Sequence, residues 1–200
     1  RVAETEDGYY FSLGQYLFFM DKESGEAVAL CNKPNCLHNK ETDPAKRINC
    51  NAFFMGGIFE LSYYDEQLYC ITQKDNEYHQ KDPILIKIEK DGTSRKEIVT
   101  FDKYPDNLIF HRGKIYYTNI TYQTDQENNS NAIYSMDIEG GESEIIYRDE
   151  ENVKFLDDMR AYGNHLYVRC IDYVGGIYIL HYDLVTKEMT QLDPKLSTQF

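Results

Sequence analysis

The chain has 200 residues, 42% of them apolar and few of them Gly or Pro, so it can bury a sizeable core and reads as globular, not disordered. Its formal charge of −13, from 34 acidic against 21 basic side chains, repels phosphate backbones and anionic lipid headgroups, which argues against nucleic-acid and membrane-surface binding. No stretch approaches the roughly 18 apolar residues that a membrane-spanning helix needs.

The aromatic residues are 18 Tyr and 10 Phe with no Trp. Tyr and Phe favour strands, because a flat ring packs well on a pleated, half-buried surface. Four segments then repeat along the chain, each a small or polar turn followed by an apolar-aromatic pair: Gly8–Phe11, Gln67–Cys70, Lys114–Tyr117 and His165–Val168. Tyr10, Tyr69, Tyr116 and Tyr167 fall in register, at separations of 59, 47 and 51 residues. The first interval is longer because it contains a cysteine-rich insertion, residues 31–50.

Each pair is followed by an apolar run that ends in an acidic residue: Tyr16–Asp21, Ile84–Glu89, Ala132–Asp137 and Ile177–Asp183. Asp21, Glu89, Asp137 and Asp183 are expected to accept backbone N–H bonds in the turns they open. A closing strand comes next, at Ala27–Leu30, Glu97–Thr100, Glu144–Tyr147 and Glu188–Leu192. A leading strand precedes the pair in copies two to four, at Ile58–Tyr64, Asn107–Phe110 and Val153–Ala161. Copy one begins at its second strand. Helical periodicity is weak everywhere, and the best helical stretch, Asp149–Asp158, is acidic and lacks an apolar stripe.

Antiparallel four-strand units at this spacing point to an all-β fold, a β-propeller or partial propeller, with a β-sandwich as the alternative. Strands such as Ile115–Tyr117 and Ile177–Leu180 are apolar on both faces, which implies cover on both sides. The expected organisation is a single propeller-like domain over 1–200 with units near 1–30, 51–103, 104–150 and 151–193. Four units close only the smallest ring, so we expect a piece of a longer chain, with residues 193–200 placed to start a fifth unit. The chain begins at Arg1 and not at Met, which is compatible with a lost N-terminal leader or anchor.

The insertion carries C-x4-C-x-H-x11-C: Cys31, Cys36, His38 and Cys50. Three thiols and an imidazole are the donor set of a closed, tetrahedral structural Zn²⁺ site. Pro34 with its Asn neighbours favours a tight turn returning Cys36 towards Cys31. A disulfide among the three thiols with one spare, or reduced unligated thiols, are the alternatives; His38 discriminates, because a disulfide has no use for it. Cys70 and Cys170 lie on strands and read as small buried hydrophobes.

No G-x-S-x-G elbow, H-E-x-x-H helix, P-loop or G-x-G-x-x-G turn occurs, so no catalytic or cofactor-binding residues are assigned beyond this zinc set. His79, His111, His165 and His181 are scattered, with His111 and His165 expected as solvated turn residues. Asn119-Ile-Thr121 and Asn128-Asn-Ser130 match the glycosylation pattern.

The block Leu30–His38 followed by Cys50-Asn51-Ala52-Phe53 resembles one found in surface lipoproteins of anaerobic gut Gram-positive bacteria. These are domain-of-unknown-function proteins similar to the propeller of low-density-lipoprotein-receptor-related proteins. The resemblance implies an extracytoplasmic, membrane-tethered propeller with no family active site. The reading is thus a non-catalytic extracellular binding or scaffold module whose blade-end loops contact a glycan, peptide or protein. Two alternatives stand beside it: the propeller part of an enzyme (glycoside hydrolase, lyase or serine-peptidase gate) and a structural spacer.

Overall fold

Four antiparallel sheets, each a contiguous meander, make up this computed structural model of the chain. Sheet 1 holds β1 (Val2–Glu4), β2 (Gly8–Leu13), β3 (Tyr16–Asp21) and β4 (Ala27–Ala29). Sheet 2 holds β5 (Glu60–Tyr64), β6 (Gln67–Asp75), β7 (Lys81–Ile88) and β8 (Arg95–Thr100). Sheet 3 holds β9 (Pro105–His111), β10 (Lys114–Asn119), β11 (Ala132–Asp137) and β12 (Glu144–Arg148). Sheet 4 holds β13 (Lys154–Tyr162), β14 (His165–Asp172), β15 (Ile177–Asp183) and β16 (Met189–Gln191). The structure describes residues 1–75, 78, 80–119, 131–149, 154–172 and 175–192; His79, the segment 193–200 and all but the first residue of the two glycosylation patterns' span, 119–130, lie outside them.

Local chemistry explains the hairpins. β5 and β6 are joined by Asp65-Glu66 at φ of 47° and 60°, and β9 and β10 by Arg112-Gly113 at 52° and 75°. Paired positive φ values mark the type I′ turn, whose twist matches that of the flanking strands. The acidic turn residues mostly act as expected. Asp21 Oδ1 accepts from Ser24 N, Asp137 Oδ1 from Glu139 N, and Asp183 Oδ1 from Val185 N and Thr186 N. In sheet 2 the role passes from Glu89 to Asp91, whose shorter side chain accepts from Thr93 N at 2.9 Å.

One expectation is corrected. Sheet 1 has its own first strand, because Val2–Glu4 pairs with Tyr9–Phe11; three residues are too few for alternation to show. The strand expected over Val153–Ala161 is present as β13, which pairs with β14, so the described part of the acidic stretch 149–158 holds no helix.

The chain forms two compact units, residues 1–102 with sheets 1 and 2, and residues 103–200 with sheets 3 and 4. In the first, β1 lies beside β5, and Tyr10, Leu17 and Leu30 of one sheet share a core with Leu61, Leu68, Cys70 and Ile88 of the other. Tyr10 also donates from Oη to the Lys90 carbonyl at 3.2 Å, so its ring is buried while its hydroxyl is satisfied by the neighbouring sheet. In the second unit, β9 lies beside β13, and Tyr116 and Ile133 meet Leu166, Val168, Cys170 and Leu180. Consecutive meanders meeting along their first strands is how propeller blades neighbour one another. Cys70 and Cys170, 1% and 0% exposed, are core residues as expected.

Gly92 has φ +73°, and a Cβ there would sit 2.4 Å from the Leu30 carbonyl oxygen, whereas Gly14 at φ +61° has open space around it. Gly14→Ala is therefore expected to cost only the left-handed backbone penalty of about 1–2 kcal/mol. Gly92→Ala is expected to cost clearly more in urea unfolding, and equal losses would contradict the close approach. Burial pushes the Cys70 thiol up to about 12, against a small opposing effect of Arg95. Burial first, then Asp149 and Cys170, push Tyr147 up to about 12. The folded chain thus keeps protons that an unfolded Cys or Tyr releases near about 8.5 or 10. Stability should fall as pH climbs from about 8.5 towards 12, read as a declining urea midpoint; a flat midpoint across that window would refute it.

Candidate metal centre

The insertion leaves sheet 1 after Leu30, whose N–H still bonds the Leu17 carbonyl at 2.9 Å. Cys36 N bonds Lys33 O at 3.4 Å across Pro34 and Asn35, and Asn35 has φ 59°. Pro followed by a residue at positive φ is the type II signature, and it folds Cys36 back as the sequence predicts. His38 also sits at φ 51°, a conformation sparsely populated outside Gly and held here by its surroundings. It opens a 3₁₀ turn, His38–Lys40.

A short helix the sequence reading missed, α1 (Pro44–Arg47), then delivers Cys50. Asp43 caps it, accepting from Ala45 N at 3.0 Å, and Pro44 takes the first helical position. This Asp-Pro start was the available signal. Cys50 N bonds Arg47 O at 2.9 Å. The return strand docks on sheet 1 through Leu17 N to Ala52 O at 2.9 Å and Phe54 N to Gln15 O at 2.8 Å.

This path gathers all four sequence-predicted ligands. The donor atoms of Cys31, Cys36, His38 and Cys50 lie within 4.8 Å of one another. A tetrahedral Zn²⁺ with sulfur at about 2.3 Å and nitrogen at about 2.0 Å has edges of about 3.8 Å between sulfurs and 3.5 Å from sulfur to nitrogen. Cys50 Sγ and His38 Nδ1 are 3.6 Å apart. Cys31, Cys36 and Cys50 are free thiols.

The surroundings suit thiolates. Asn51 N donates to Cys31 Sγ at 3.3 Å. Burial works against ionisation of Cys31, but the N–H groups of Lys33 and Asn51 with the neighbouring thiols outweigh it, so its pKa lies below that of an ordinary thiol. Cys50 is 4% exposed, and burial, with Cys36 and Cys31 adding, pushes its thiol up to about 12. A metal must displace that proton, which ties binding to pH.

Two further residues came from distant strands. Tyr16 on β3 packs in the same cluster, and its hydroxyl is buried without a hydrogen bond. Burial first raises the pKa of this phenol, and Cys50 and Cys36 add to that against Arg47. Arg95 on β8 lies 3.8 Å over the Phe54 ring and donates from Nη1 to Phe53 O at 3.1 Å. Burial lowers its pKa, while Cys70, Cys50 and Cys31 oppose that. Were three thiolates to hold a divalent ion, the one negative charge left over would have this guanidinium to offset it.

His111, at the end of β9, bonds the Gly163 carbonyl at 2.7 Å, and His165, at the start of β14, faces His181 with ring nitrogens 3.0 Å apart.

No family model and no curated protein matches the sequence. Solved structures do. An oligogalacturonate lyase in complex with manganese is 10% identical, with a TM-score of 0.65 over 94% of this chain and 50% of that chain. The oligogalacturonate lyase from Vibrio parahaemolyticus is 10% identical, with a TM-score of 0.62 over 93% of this chain and 50% of that one. A chain of a nidogen/laminin complex is 11% identical, with a TM-score of 0.48 over 98% of this chain and 80% of that one. The chain spans about half the length of the lyases it matches. These are propeller folds, and the likeness defines the class of this protein by fold alone: an all-β, propeller-type repeat protein.

If the four donors hold zinc, elemental analysis of untagged protein should give one ion per chain. His38→Ala should weaken retention against a chelator roughly tenfold or more. Zinc retention should weaken as pH falls, because protons compete with the ion for the thiolates and the imidazole. Undiminished zinc in His38→Ala would remove His38 from the set.

Proposed function

We propose that this chain is a non-catalytic, extracytoplasmic binding module, part of a cell-surface lipoprotein of a Gram-positive bacterium, whose cysteine cluster holds a structural zinc ion. The observation that carries this reading is the closed donor set. Four protein ligands complete a tetrahedron and leave no position for substrate, so the ion would supply folding free energy to an insertion with little core of its own. The cell-surface assignment rests on the resemblance of the Leu30–Phe53 block.

The ligand we favour is a neutral glycan. A cavity of about 200 Å³ lies at strand ends of the second unit, lined by Asp106, Thr118, Asn119, Asn131, Phe155 and Asp157. Carboxylates and amides beside an aromatic edge offer the paired donors and acceptors that sugar hydroxyls need. Pockets for drug-sized molecules run about 300–1,000 Å³, so this one suits a single ring. The net charge of −13 disfavours polyanions. The fold shared with oligogalacturonate lyases supports a second reading, a module of a glycan-degrading enzyme.

A glycan array probed at micromolar concentration should return neutral oligosaccharides, with the signal reduced about tenfold or more in Asn131→Ala or Phe155→Ala. An empty array would defeat the glycan reading. Release of reducing ends or unsaturated sugars from a bound glycan would favour the enzyme.

A further inference from the structure

Sheet 4 carries a side-chain cluster that the other repeats lack. His165 on β14 sits opposite Asp183 on β15, and His181 sits opposite Tyr167. The counterparts of His181 in sheets 1 to 3 are Phe19, Lys87 and Ser135, each opposite its own shared tyrosine. Side chains two apart on a strand share a face, so the two imidazoles, Tyr167 and Asp183 project from the same side of the sheet.

The geometry is that of a chelate. His181 Nε2 and His165 Nδ1 are 3.0 Å apart. Two imidazole nitrogens bound at right angles to an ion at about 2.1 Å are separated by about 3.0 Å. Asp183 Oδ2 lies 3.6 Å from His165 Nδ1. Its Oδ1 is held by Val185 N at 2.7 Å and Thr186 N at 3.0 Å, which fixes the carboxylate and leaves Oδ2 facing the histidine.

The outer contacts suit ligation too. His181 Nδ1 is 3.3 Å from Thr190 Oγ1, and Thr190 Oγ1 donates to the His181 carbonyl at 3.4 Å. In the tautomer with the proton on His181 Nδ1, Thr190 Oγ1 accepts it and the Nε2 lone pair is turned towards His165. Metal-bound histidines are oriented by such a bond from the second ring nitrogen. The site is reachable, since the His165 side chain is 37% exposed and that of Asp183 26%. Tyr167 forms one wall, its ring centroid 5.2 Å from that of His181.

We propose that His165 Nδ1, His181 Nε2 and Asp183 Oδ2 form a second, exchangeable site for a divalent transition-metal ion such as Zn²⁺, Co²⁺ or Ni²⁺. Two imidazoles and one carboxylate leave the remaining positions open to water or a small anionic ligand. Without an ion, the two ring nitrogens lie within hydrogen-bond distance of each other. The site stands independently of the thiolate centre, which lies in the other compact unit and uses other donors.

The test is a Co²⁺ titration of the full chain after one equivalent of Zn²⁺ has been added, followed by visible absorption and calorimetry. The expected result is a second, weaker ion with nitrogen–oxygen ligand-field bands and no thiolate-to-cobalt charge-transfer band. His181→Ala and His165→Ala should each weaken it about tenfold or more, with Asp183→Asn weakening it less. If either alanine variant unfolds, His181→Gln replaces it. Absence of a second ion, or unchanged affinity in the histidine variants, would overturn the proposal. An empty thiolate centre would be recognised separately, because cobalt entering it produces the charge-transfer band.

Discussion

The structure depends on the burial of the second strand of each sheet against the neighbouring sheet of its unit. That strand carries the shared tyrosine on one face and an apolar pair on the other: Tyr9 and Phe11, Leu68 and Cys70, Ile115 and Tyr117, and Leu166 and Val168. In the first unit the tyrosine face of β2 meets the leucine face of β6. In the second unit β10 meets β14 in the same way. A tyrosine suits this position because its ring supplies apolar area while its hydroxyl reaches a polar group on the next sheet, as Tyr10 does with Lys90. Each sheet is thus incomplete without its neighbour, and this is why the unit repeats.

The cysteine insertion is built onto that arrangement. Its root at Leu30 is pressed by Gly92 in a turn of sheet 2, its return strand follows β3, and Arg95 from β8 braces Phe53 and Phe54. Sheets 1 and 2 therefore hold the ends of the insertion, while Cys31, Cys36, His38 and Cys50 close its middle. A largely polar segment has little apolar area to offset its chain entropy, so a four-ligand ion there would supply folding free energy that the segment otherwise lacks.

How much of the centre was legible follows from where its residues lie in the chain. Cys31, Cys36, His38 and Cys50 fall within one short segment, and donors of that kind so close together signal coordination whatever the fold. Tyr16 and Arg95 gave no such signal, because a phenol and a guanidinium on strands have many ordinary uses. Only β3 and β8 meeting the insertion gives them this one. His165 and His181 were each visible, but the hairpin register of β14 with β15 is what makes them neighbours.

The sequence by itself determined the class of fold, the repeat and its Tyr register, the hairpin turns and the ligand types in the insertion. These rest on period-two patterning, turn chemistry and donor identity, all properties of neighbours along the chain. The tertiary structure alone decided the short first strand Val2–Glu4, the meeting of Tyr16 and Arg95 with the insertion, and the meeting of the two imidazoles. Each of those depends on which strands pair and in what register, and pairing energy arises only between residues that the fold has brought together.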